Sequence, residues 1–356
     1  MTELLDETVS VREGEALNLA ALEPYLREHL GLPHGGFTVE QFPGGHSNLT
    51  YCVRIGDREF VLRRPPFGSK VKSAHDMGRE YTVLKHLQGH FAPAPNPYLY
   101  CEDESVIGAK FYLMDRIRGV VLRTHKPAGF EAPPELVRST CIAMAETLAD
   151  LHAVDWQAAG LGSLQRKSGT FVRRQVEGWI RRYGDSQTDE VPHVEDVFAW
   201  CAQRIPKDVG AVLIHNDYKF DNVLLDPEKL DAIRGVLDWE MSTIGDPLFD
   251  LGVALGYWIN PDETSGPLVS GCFLTQMPGA VSRNEFADVY GARSGRDVSN
   301  IHFYYVFAII KLAVVLQQIY YRYHQGLTQD ERFAPLIGMV HLLAERAANL
   351  IDADSL

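Results

Sequence analysis

The alternation of apolar and polar residues near the start of the chain predicts a small β-sheet. FTVEQF (37–42), NLTYCVRI (48–55) and REFVLRRP (58–65) are three runs of strand length, rich in β-branched and aromatic residues. The Gly-Asp pair between the second and third runs is a hairpin signal. A further run, AKFYLMDRI (109–117), predicts another strand of the same region.

Apolar residues at helical spacing predict helices in the rest of the chain. Two such segments, 15–30 and 75–90, accompany the predicted strands. Beyond Gly119 helical spacing dominates, over 134–154, 170–184, 194–205, about 303–324 and about 334–351. The chain is therefore predicted to have an α+β fold, with a small β-rich lobe at 1–117 and a larger helical lobe at 118–356.

The most apolar stretch, FYYVFAIIKLAVVLQQIYY at 303–321, has the length of a membrane span. Lys311 stands near its centre, however, and two glutamines follow it. We therefore expect a buried helix and no membrane contact. With 356 residues, of which 46% are hydrophobic, the chain is long enough for two core-bearing lobes.

The formal net charge of −13 argues against a nucleic-acid partner, because nucleic-acid binding needs a basic patch that displaces counterions from phosphates. It fits weakly with a cationic substrate. The five cysteines have no CxxC spacing and suggest neither a disulfide framework nor a zinc site. The first ten residues, MTELLDETVS, lack the apolar core of a secretory signal. We expect a cytoplasmic protein, and its oligomeric state stays open.

One region of the helical half has the residue content of strands: AVLIHND, NVLLD and IRGVLDWE. NVLLD begins at Asn222 and RGVLD ends at Asp238, with the turn-forming PEKLD between them, which predicts an antiparallel hairpin. The first residue of one hairpin strand lies beside the last residue of the other. Asn222 and Asp238 are therefore predicted to meet, and their oxygens are ligands that suit Mg²⁺. Asp217, in the loop just before the hairpin, is expected to face the same opening.

A carboxylate beside two metal ligands is the arrangement that phosphoryl transfer needs, because a phosphotransferase mostly positions the reacting groups and neutralises their charge. The competing interpretation is that Asp217 and Asn222 only stabilise a turn, since Asp and Asn often bond their own backbone. The position of Asp238 across the predicted hairpin favours the chemical interpretation.

HNDYKFDN followed by LDWE resembles the catalytic loop and metal-binding segment of the aminoglycoside phosphotransferase-like kinases, whose pattern is H-G-D-x4-N followed by a hairpin and an Asp. The resemblance extends over most of the chain. It implies a protein-kinase-like two-lobe fold, ATP and Mg²⁺ as cofactors, and a small molecule with a hydroxyl group as acceptor. By position, it implies that Asp217 is the catalytic carboxylate and that Asn222 and Asp238 bind the metal. His215 would hold the shape of the loop, and Asp250 would hydrogen-bond back to it.

The same resemblance implies a nucleotide site in the small lobe. The loop PGGHSNLT would cover the phosphates, and its candidate binding residues are Gly44, Gly45, Ser47 and Asn48. Arg63 would grip the phosphates, with Glu80 of the following helix as its ionic partner. The hinge that recognises adenine through backbone groups would comprise Met114, Asp115 and Ile117.

Three positions depart from the usual pattern of that family. Asn216 replaces the Gly after the loop His, and Asn tolerates the left-handed backbone conformation better than most residues. An arginine, either Arg63 or Arg64, replaces the strand lysine, and its guanidinium can still bind phosphate. Lys219 stands two residues after Asp217, as in protein kinases proper, and is a candidate for stabilising the transferred phosphate. A solvated surface role for Lys219 is the alternative.

The acceptor stays open between two classes. The segments GGHSNLTY and GRDVSNIHFYYVFAIIKLAVVLQQIYYRY are most similar to the kinase-like domain fused to certain acyl-CoA dehydrogenases, which implies a hydroxyacyl group on coenzyme A. A basic patch for coenzyme A, including Arg116, Arg118 and Arg123, would then be expected. The alternative acceptor is an aminoglycoside or another amino alcohol, which the net charge would attract. A third hypothesis is a non-catalytic nucleotide-binding module, motivated by Arg63 and Asn216.

Overall fold

The computed structural model describes residues 5–43, 48–67, 76–165, 170–263 and 271–353. The chain divides into two compact units. Unit 1 comprises Met1–Val121, Ala158–Leu161 and Asn222–Ser242, and unit 2 comprises Leu122–Gln157, Gly162–Asp221 and Thr243–Leu356. The functional lobe boundary near residue 117 stays a prediction.

Unit 1 is built on a five-stranded antiparallel sheet. Its strands are β1 (Phe37–Gln41), β2 (Leu49–Ile55), β3 (Arg58–Arg64), β4 (Pro97–Cys101) and β5 (Phe111–Asp115), in the order β1-β2-β3-β5-β4. Helix α1 (Leu19–Leu30) begins after Asn18, whose side chain accepts a hydrogen bond from the amide of Ala21. Helix α2 (Met77–Leu87) is capped by the Asp76 carboxylate in the same manner.

The register of this sheet follows from its apolar pattern. Tyr51 of β2 lies opposite Leu62 of β3, and both belong to a buried cluster that also includes Leu22 and Leu26 of α1. Since successive side chains of a strand point to opposite faces, neighbouring residues at the end of β3 serve different sides of the sheet. This alternation separates Arg63 from Arg64.

The remaining strands form two short antiparallel pairs. Strands β6 (Val212–Ile214) and β9 (Thr243–Gly245) pair in unit 2, and β7 (Val223–Leu225) and β8 (Ile233–Val236) pair in unit 1. The β7–β8 pair confirms the predicted hairpin. At its open end the amide of Leu237 donates a hydrogen bond of 2.8 Å to the carbonyl of Asn222.

Unit 2 is mainly helical. Its helices are α3 (Pro134–His152), α4 (Phe171–Ser186), α5 (Val194–Gln203), α6 (Pro247–Gly256), α7 (Arg283–Ser294), α8 (Ile301–His324) and α9 (Leu336–Ile351). Helix α8 packs against α4, α5, α6 and α9. Helices α6 and α8 approach closely at Gly252, where a Cβ atom would lie 2.7 Å from the carbonyl oxygen of Tyr304. A glycine is needed there because no real side chain tolerates that distance.

Helix α8 is the one helix of the described residues that is long and apolar enough to cross a membrane. Of its most apolar 18-residue segment, 78% is buried inside the protein. Even Lys311 is only 9% exposed. The prediction of a buried core helix at 303–321 is therefore confirmed.

The predicted α+β composition is confirmed, but some elements were not predicted. Strand β4 begins at Pro97 after a proline-rich segment, and proline removes a backbone donor, so it is tolerated at the edge of a sheet where β4 lies. Helix α7 is held by a capping box between Ser282 and Glu285. Its buried face includes Arg283 and the small Ala287, so its apolar periodicity is weak. All five cysteines are buried and free.

Candidate active site

Three charged residues that are distant in the sequence meet in unit 1. Arg63 on β3 donates through Nη1 to Oε1 of Glu80 on α2, and through Nη2 to Oδ1 of Asp238 at 3.1 Å. Glu80 is fully buried and also accepts a hydrogen bond of 3.1 Å from the backbone amide of Trp239. The predicted contact of Arg63 with Glu80 is thus present, and it extends to the residue predicted to bind metal.

The charge of Arg63 is secured by this environment. Burial alone would lower the pKa of Arg63, but the carboxylates of Glu80 and Asp238 raise that pKa well above its ordinary value. Arg64 turns to the other face of β3, where its Nη1 donates 2.9 Å to the carbonyl of Ile107 and its guanidinium stacks on Phe67. Of the two candidate arginines, only Arg63 therefore lies with the predicted metal ligand.

The two predicted metal ligands, Asn222 and Asp238, lie at the open end of the hairpin. The hydrogen bond from Leu237 to Asn222 holds the two hairpin segments side by side there. The Asp238 side chain is 27% exposed. Within the described ranges, no group of three or more His, Cys, Asp or Glu residues could hold a metal ion. One amide and one carboxylate nevertheless fit Mg²⁺, which fills its octahedron with waters and phosphate oxygens.

Glu240 and Asn48 form a further polar contact beside this pair. The Asn48 side chain is buried and donates a hydrogen bond of 3.0 Å to Oε2 of Glu240. Burial, together with the charges of Asp238 and Glu80, raises the pKa of Glu240 to about 7. Asn48 therefore lies beside the predicted metal ligand, while the predicted loop residues Gly44, Gly45 and Ser47 lie outside the described residues.

The predicted hinge begins within the last two residues of β5, Met114 and Asp115, and ends just beyond the strand. Met114 is buried between Val61 and Pro97 in the sheet. The amide of Asp115 donates to the carbonyl of Asn96, and the Asp115 carboxylate accepts a hydrogen bond of 2.6 Å from the hydroxyl of Tyr98. The Asp115 side chain thus stabilises the turn into β4. Recognition of adenine by Met114, Asp115 and Ile117 stays a prediction.

The predicted catalytic loop follows β6 in unit 2 and is held by one buried carboxylate. Oδ2 of Asp250, in the first turn of α6, accepts a hydrogen bond of 2.7 Å from the amide of His215, and Oδ1 accepts one of 2.6 Å from the amide of Asn216. His152 lies 3.2 Å from Oδ2. Burial alone would raise the pKa of Asp250, but its bonds with His152 and His215 lower it. Asp250 therefore contacts the loop as the sequence predicts.

The carboxylate of Asp217 is bound by Lys219. The Nζ atom of Lys219 lies 3.0 Å from Oδ1 and 2.9 Å from Oδ2, and it stands 4.6 Å above the ring of Tyr257. Burial opposes the charge of Lys219, but Tyr257 and Asp217 raise its pKa above the ordinary value. Lys219 therefore stays protonated beside the predicted catalytic carboxylate, which disfavours a purely solvated role.

Two pockets of unit 2 share Tyr257 as a wall. The first is a small, partly open cavity of about 10 Å³ that is lined by Lys219 and mainly apolar residues. The second runs along helices α6 and α8 and is lined by Lys311 and by Val253, Gly256, Ala308, Leu312 and Val315. Among the described residues, the polar linings are hydroxyl, thiol and ammonium groups, and no carboxylate lines either pocket.

Two of the arginines expected to form a basic patch for coenzyme A have local partners within unit 1. Arg116 is buried, donates to the carbonyl of Asp6 and stacks over Phe42. Arg118 is more exposed, but both oxygens of the Glu59 carboxylate accept hydrogen bonds from it. Local carboxylate and carbonyl groups thus engage both arginines, and a basic patch for coenzyme A stays a prediction.

Three residues of the site were not predicted from the sequence. Tyr257 and His152 carry no sequence signal, since an aromatic residue after a helix and a histidine within one are commonplace. Lys311 did carry a signal, a single charge inside an apolar stretch, but we took it only as evidence against a membrane span. Its side chain in fact contacts the catalytic loop, where Nζ lies 3.1 Å from Oδ1 of Asn216.

A comparison with family models agrees with this geometry. Residues 38–274, more than half of the chain, match the model described as the phosphotransferase enzyme family. The chain belongs to this family. The predicted enzyme class and the resemblance to aminoglycoside phosphotransferase-like kinases are thereby confirmed.

Curated relatives extend the match over nearly the whole chain. The chain is 34% identical over 321 residues to acyl-CoA dehydrogenase family member 10 of Mus musculus, a match that covers 88% of this chain and 29% of the mouse protein. It is 32% identical over 351 residues to acyl-CoA dehydrogenase family member 11 of Rattus norvegicus, covering 97% of this chain and 44% of the rat protein. The chain thus spans less than half the length of these relatives.

Solved structures share the fold. A Ralstonia eutropha protein provisionally assigned as an aminoglycoside phosphotransferase has a TM-score of 0.79 and 29% identity, covering 95% of this chain and 99% of its own. A thermostable form of aminoglycoside phosphotransferase APH(4)-Ia, crystallised with AMP-PNP and hygromycin B, has a TM-score of 0.56 and 17% identity, covering 92% and 99%. The second likeness concerns the fold alone. The predicted kinase-like fold class is confirmed.

Proposed function

We propose that this chain is a small-molecule kinase that uses Mg²⁺ and transfers the γ-phosphoryl group of ATP to a hydroxyl, with hydroxyacyl groups on coenzyme A as acceptors. The geometry of the catalytic loop carries the proposal. Asp250 binds the two amides that precede Asp217, and Lys219 binds the Asp217 carboxylate itself. A carboxylate fixed in this way can accept a hydroxyl proton, and the neighbouring ammonium can neutralise phosphoryl charge.

Unit 1 supplies the groups suited to the nucleotide. The guanidinium of Arg63 is charged and forked, so it can bind phosphate oxygens while Glu80 keeps it in place. Asn222 and Asp238 would hold Mg²⁺, which when bound neutralises charge on the phosphate oxygens. An ATP analogue bound to a structure of the same fold supports the choice of nucleotide.

The transfer step uses few protein groups. The acceptor oxygen forms a bond to the γ-phosphorus while the bond from that phosphorus to the bridging oxygen of ADP breaks. The hydroxyl proton passes to the carboxylate of Asp217, and ADP leaves with the electron pair. Lys219 is hydrogen-bonded to Asp217. Its ammonium can therefore neutralise the negative charge that develops on the phosphoryl oxygens.

The lining of the two pockets supports an uncharged or anionic acceptor with apolar parts. Their walls are mostly aliphatic and aromatic, and their cations are Lys219 and Lys311. Neither lining contains a carboxylate, and the neighbouring Asp217 is already paired with Lys219, so the linings offer little negative charge to a polycationic aminoglycoside. The names of the relatives, acyl-CoA dehydrogenase family members, point to the same class of acyl compounds.

The test is phosphate transfer from γ-labelled ATP and Mg²⁺ to a panel of acceptors. Hydroxyacyl-CoA esters are compared with the same hydroxy acids in free form, with choline, with homoserine and with aminoglycosides. Asp217→Asn is the blank, and we expect it to lower kcat about 10²–10⁴-fold with little change in nucleotide affinity. Asp288→Asn, an exposed change on α7, is the matched control.

A second variant separates the proposed roles. Asp238→Ala should weaken ATP binding by about tenfold or more when Mg²⁺ is present and far less when it is absent. Asp231→Ala, an exposed change in the turn of the same hairpin, should leave both affinities unaltered. Isothermal titration of each variant with ATP, with and without Mg²⁺, provides the affinities.

The outcomes are distinct. Label on the hydroxyacyl-CoA esters, lost in Asp217→Asn, supports the whole proposal. Label on aminoglycosides or choline alone overturns the acceptor class and leaves the kinase. If no acceptor is labelled and Mg²⁺·ATP does not raise the melting temperature, the chain is no kinase. Equal loss of nucleotide binding in Asp217→Asn and Asp238→Ala would refute the division of roles.

A further inference from the structure

The long core helix α8 contributes one cation to the interior of unit 2. Lys311 is 9% exposed, and its Nζ atom lies 5.1 Å from the ring centre of Phe249 and 5.6 Å from that of Trp179. Its hydrogen-bond acceptor is Oδ1 of Asn216, at 3.1 Å. A buried ammonium loses its hydration, and one hydrogen bond and two ring faces replace only part of it. Such a residue lowers stability, so packing alone does not explain its presence.

The partner of Lys311 has an unusual backbone. Asn216 has a φ of 69°, in the left-handed region that glycine adopts freely and other residues adopt at a cost. Its amide donates to Asp250, and its side-chain oxygen accepts from Lys311. The next residue along the chain is Asp217. Any change in the Asn216 backbone therefore turns the proposed catalytic carboxylate.

We infer that Lys311 is a positioning residue, whose ammonium clamps the side chain of Asn216 and thereby sets the direction of the Asp217 carboxylate. The inference rests on the proposed function, in which Asp217 accepts the hydroxyl proton. It assigns to α8 a role beyond forming the core. It also explains how a non-glycine residue is accommodated next to the catalytic carboxylate.

The arrangement around Lys311 fits a clamp better than a packing role. Helix α6 supplies both Phe249, which lies under the ammonium, and Asp250, which binds the amide of Asn216. The amide end and the side-chain end of Asn216 are thus held from α6 and α8, which pack directly on one another. A methionine at position 311 would fill the same space and remove a desolvated charge, so packing alone gives no reason for a lysine.

The test compares Lys311→Met with the wild type in two backgrounds. In the natural background we expect kcat to fall about 10- to 100-fold, because a small misplacement of a reacting group has effects of that size. The KM for ATP should change less than about twofold, and the melting temperature should stay or rise. In an Asn216→Gly background, Lys311 has lost its side-chain partner and glycine adopts the backbone freely, so Lys311→Met should lower kcat less than about threefold.

Lys207→Met, an exposed lysine of the same unit, is the control for losing a positive charge. Hydrogen exchange gives a readout that needs no acceptor: Lys311→Met should speed exchange of the amides of His215 and Asn216, while the amides within α8 stay protected. If no acceptor is labelled by the wild type, the proposed function fails, and exchange alone decides whether the clamp exists.

Three results would overturn the inference. The first is an equal loss of kcat in both backgrounds, which would mean that Lys311 does not act through Asn216. The second is a fall in melting temperature together with kcat, which would mark Lys311 as a packing residue. The third is unaltered exchange of the loop amides in Lys311→Met.

Discussion

The two units hold their ionised groups by different means. In unit 1, Arg63 is charged because it contacts two carboxylates that come from residues 17 and 175 positions away. In unit 2, Asp250 is charged because backbone amides and His152 donate to it. The charge of Arg63 is thus balanced by side-chain carboxylates, whereas the charge of Asp250 is stabilised largely by backbone amides.

This difference matters for phosphoryl transfer. A side-chain ion pair can exchange partners, so under the proposed function Arg63, held by Glu80, would release Asp238 for Mg²⁺ when the nucleotide binds. A carboxylate bound by two successive amides fixes the conformation of the loop, so Asp217 needs little reorganisation. We infer that the nucleotide groups are adaptable and that the catalytic loop is preorganised.

The largest expected effect follows from breaking the ion pairs of unit 1. Arg63→Met leaves the fully buried Glu80 without its cation, and loss of one partner of a buried pair lowers the free energy of unfolding by about 3–5 kcal/mol. Urea denaturation measures it. The control, Arg118→Met, removes a half-exposed ion pair and should change that free energy by less than about 1 kcal/mol.

A double change sharpens the same test. Arg63→Met with Glu80→Leu removes both charges, so most of the stability should return while ATP affinity stays low. If the double variant is no more stable than Arg63→Met, the loss comes from packing and the account of unit 1 as balanced charges is wrong.

A smaller effect is expected from the backbone-bound carboxylate of unit 2. Asp250→Asn keeps the shape but presents one acceptor oxygen to two amides, so one buried donor is left unsatisfied at a cost of about 1–3 kcal/mol. We expect kcat to fall with it while the KM for ATP is retained. Thermal unfolding and steady-state kinetics measure both, with Asp288→Asn as control. A variant with full kcat would show that the loop keeps its shape without Asp250.

The smallest expected effect is a pH dependence from Lys311. Burial lowers the pKa of Lys311 to about 8 from an ordinary value of 10.5, although Asp217 and Asp250 favour its charge; Arg182 and Lys219 oppose it. Between these two values the unfolded chain binds more protons than the folded one, so this group makes stability rise with pH from about 8 to 10.5. Below pH 8 both states are protonated and the burial penalty is present in full.

Thermal unfolding between pH 7 and 10.5 checks this sign. The difference between the wild type and Lys311→Met should shift in favour of the wild type as the pH rises. Lys207→Met should follow the wild type throughout. A parallel course of wild type and Lys311→Met would mean that Lys311 keeps an ordinary pKa in the folded protein.

Elements and chemistry that are encoded locally could be predicted from the sequence. Strand alternation and helical spacing predicted the sheet of unit 1 and most helices, and the segment from Asn222 to Asp238 predicted its hairpin. These features are local because periodicity and turn residues act within a few positions. The motif around Asp217 likewise indicated the family, which the match over residues 38–274 confirmed.

Which charged residues contact one another depends on the packing of distant elements. No local rule shows that Arg63 and not Arg64 contacts Asp238, since this depends on the register of β3 and on the packing of α2. The contact of Lys311 with Asn216 joins residues 95 positions apart through the packing of α8. Long-range contacts of this kind result from the packing of helices and strands, and they cannot be predicted from the spacing of residues along the chain.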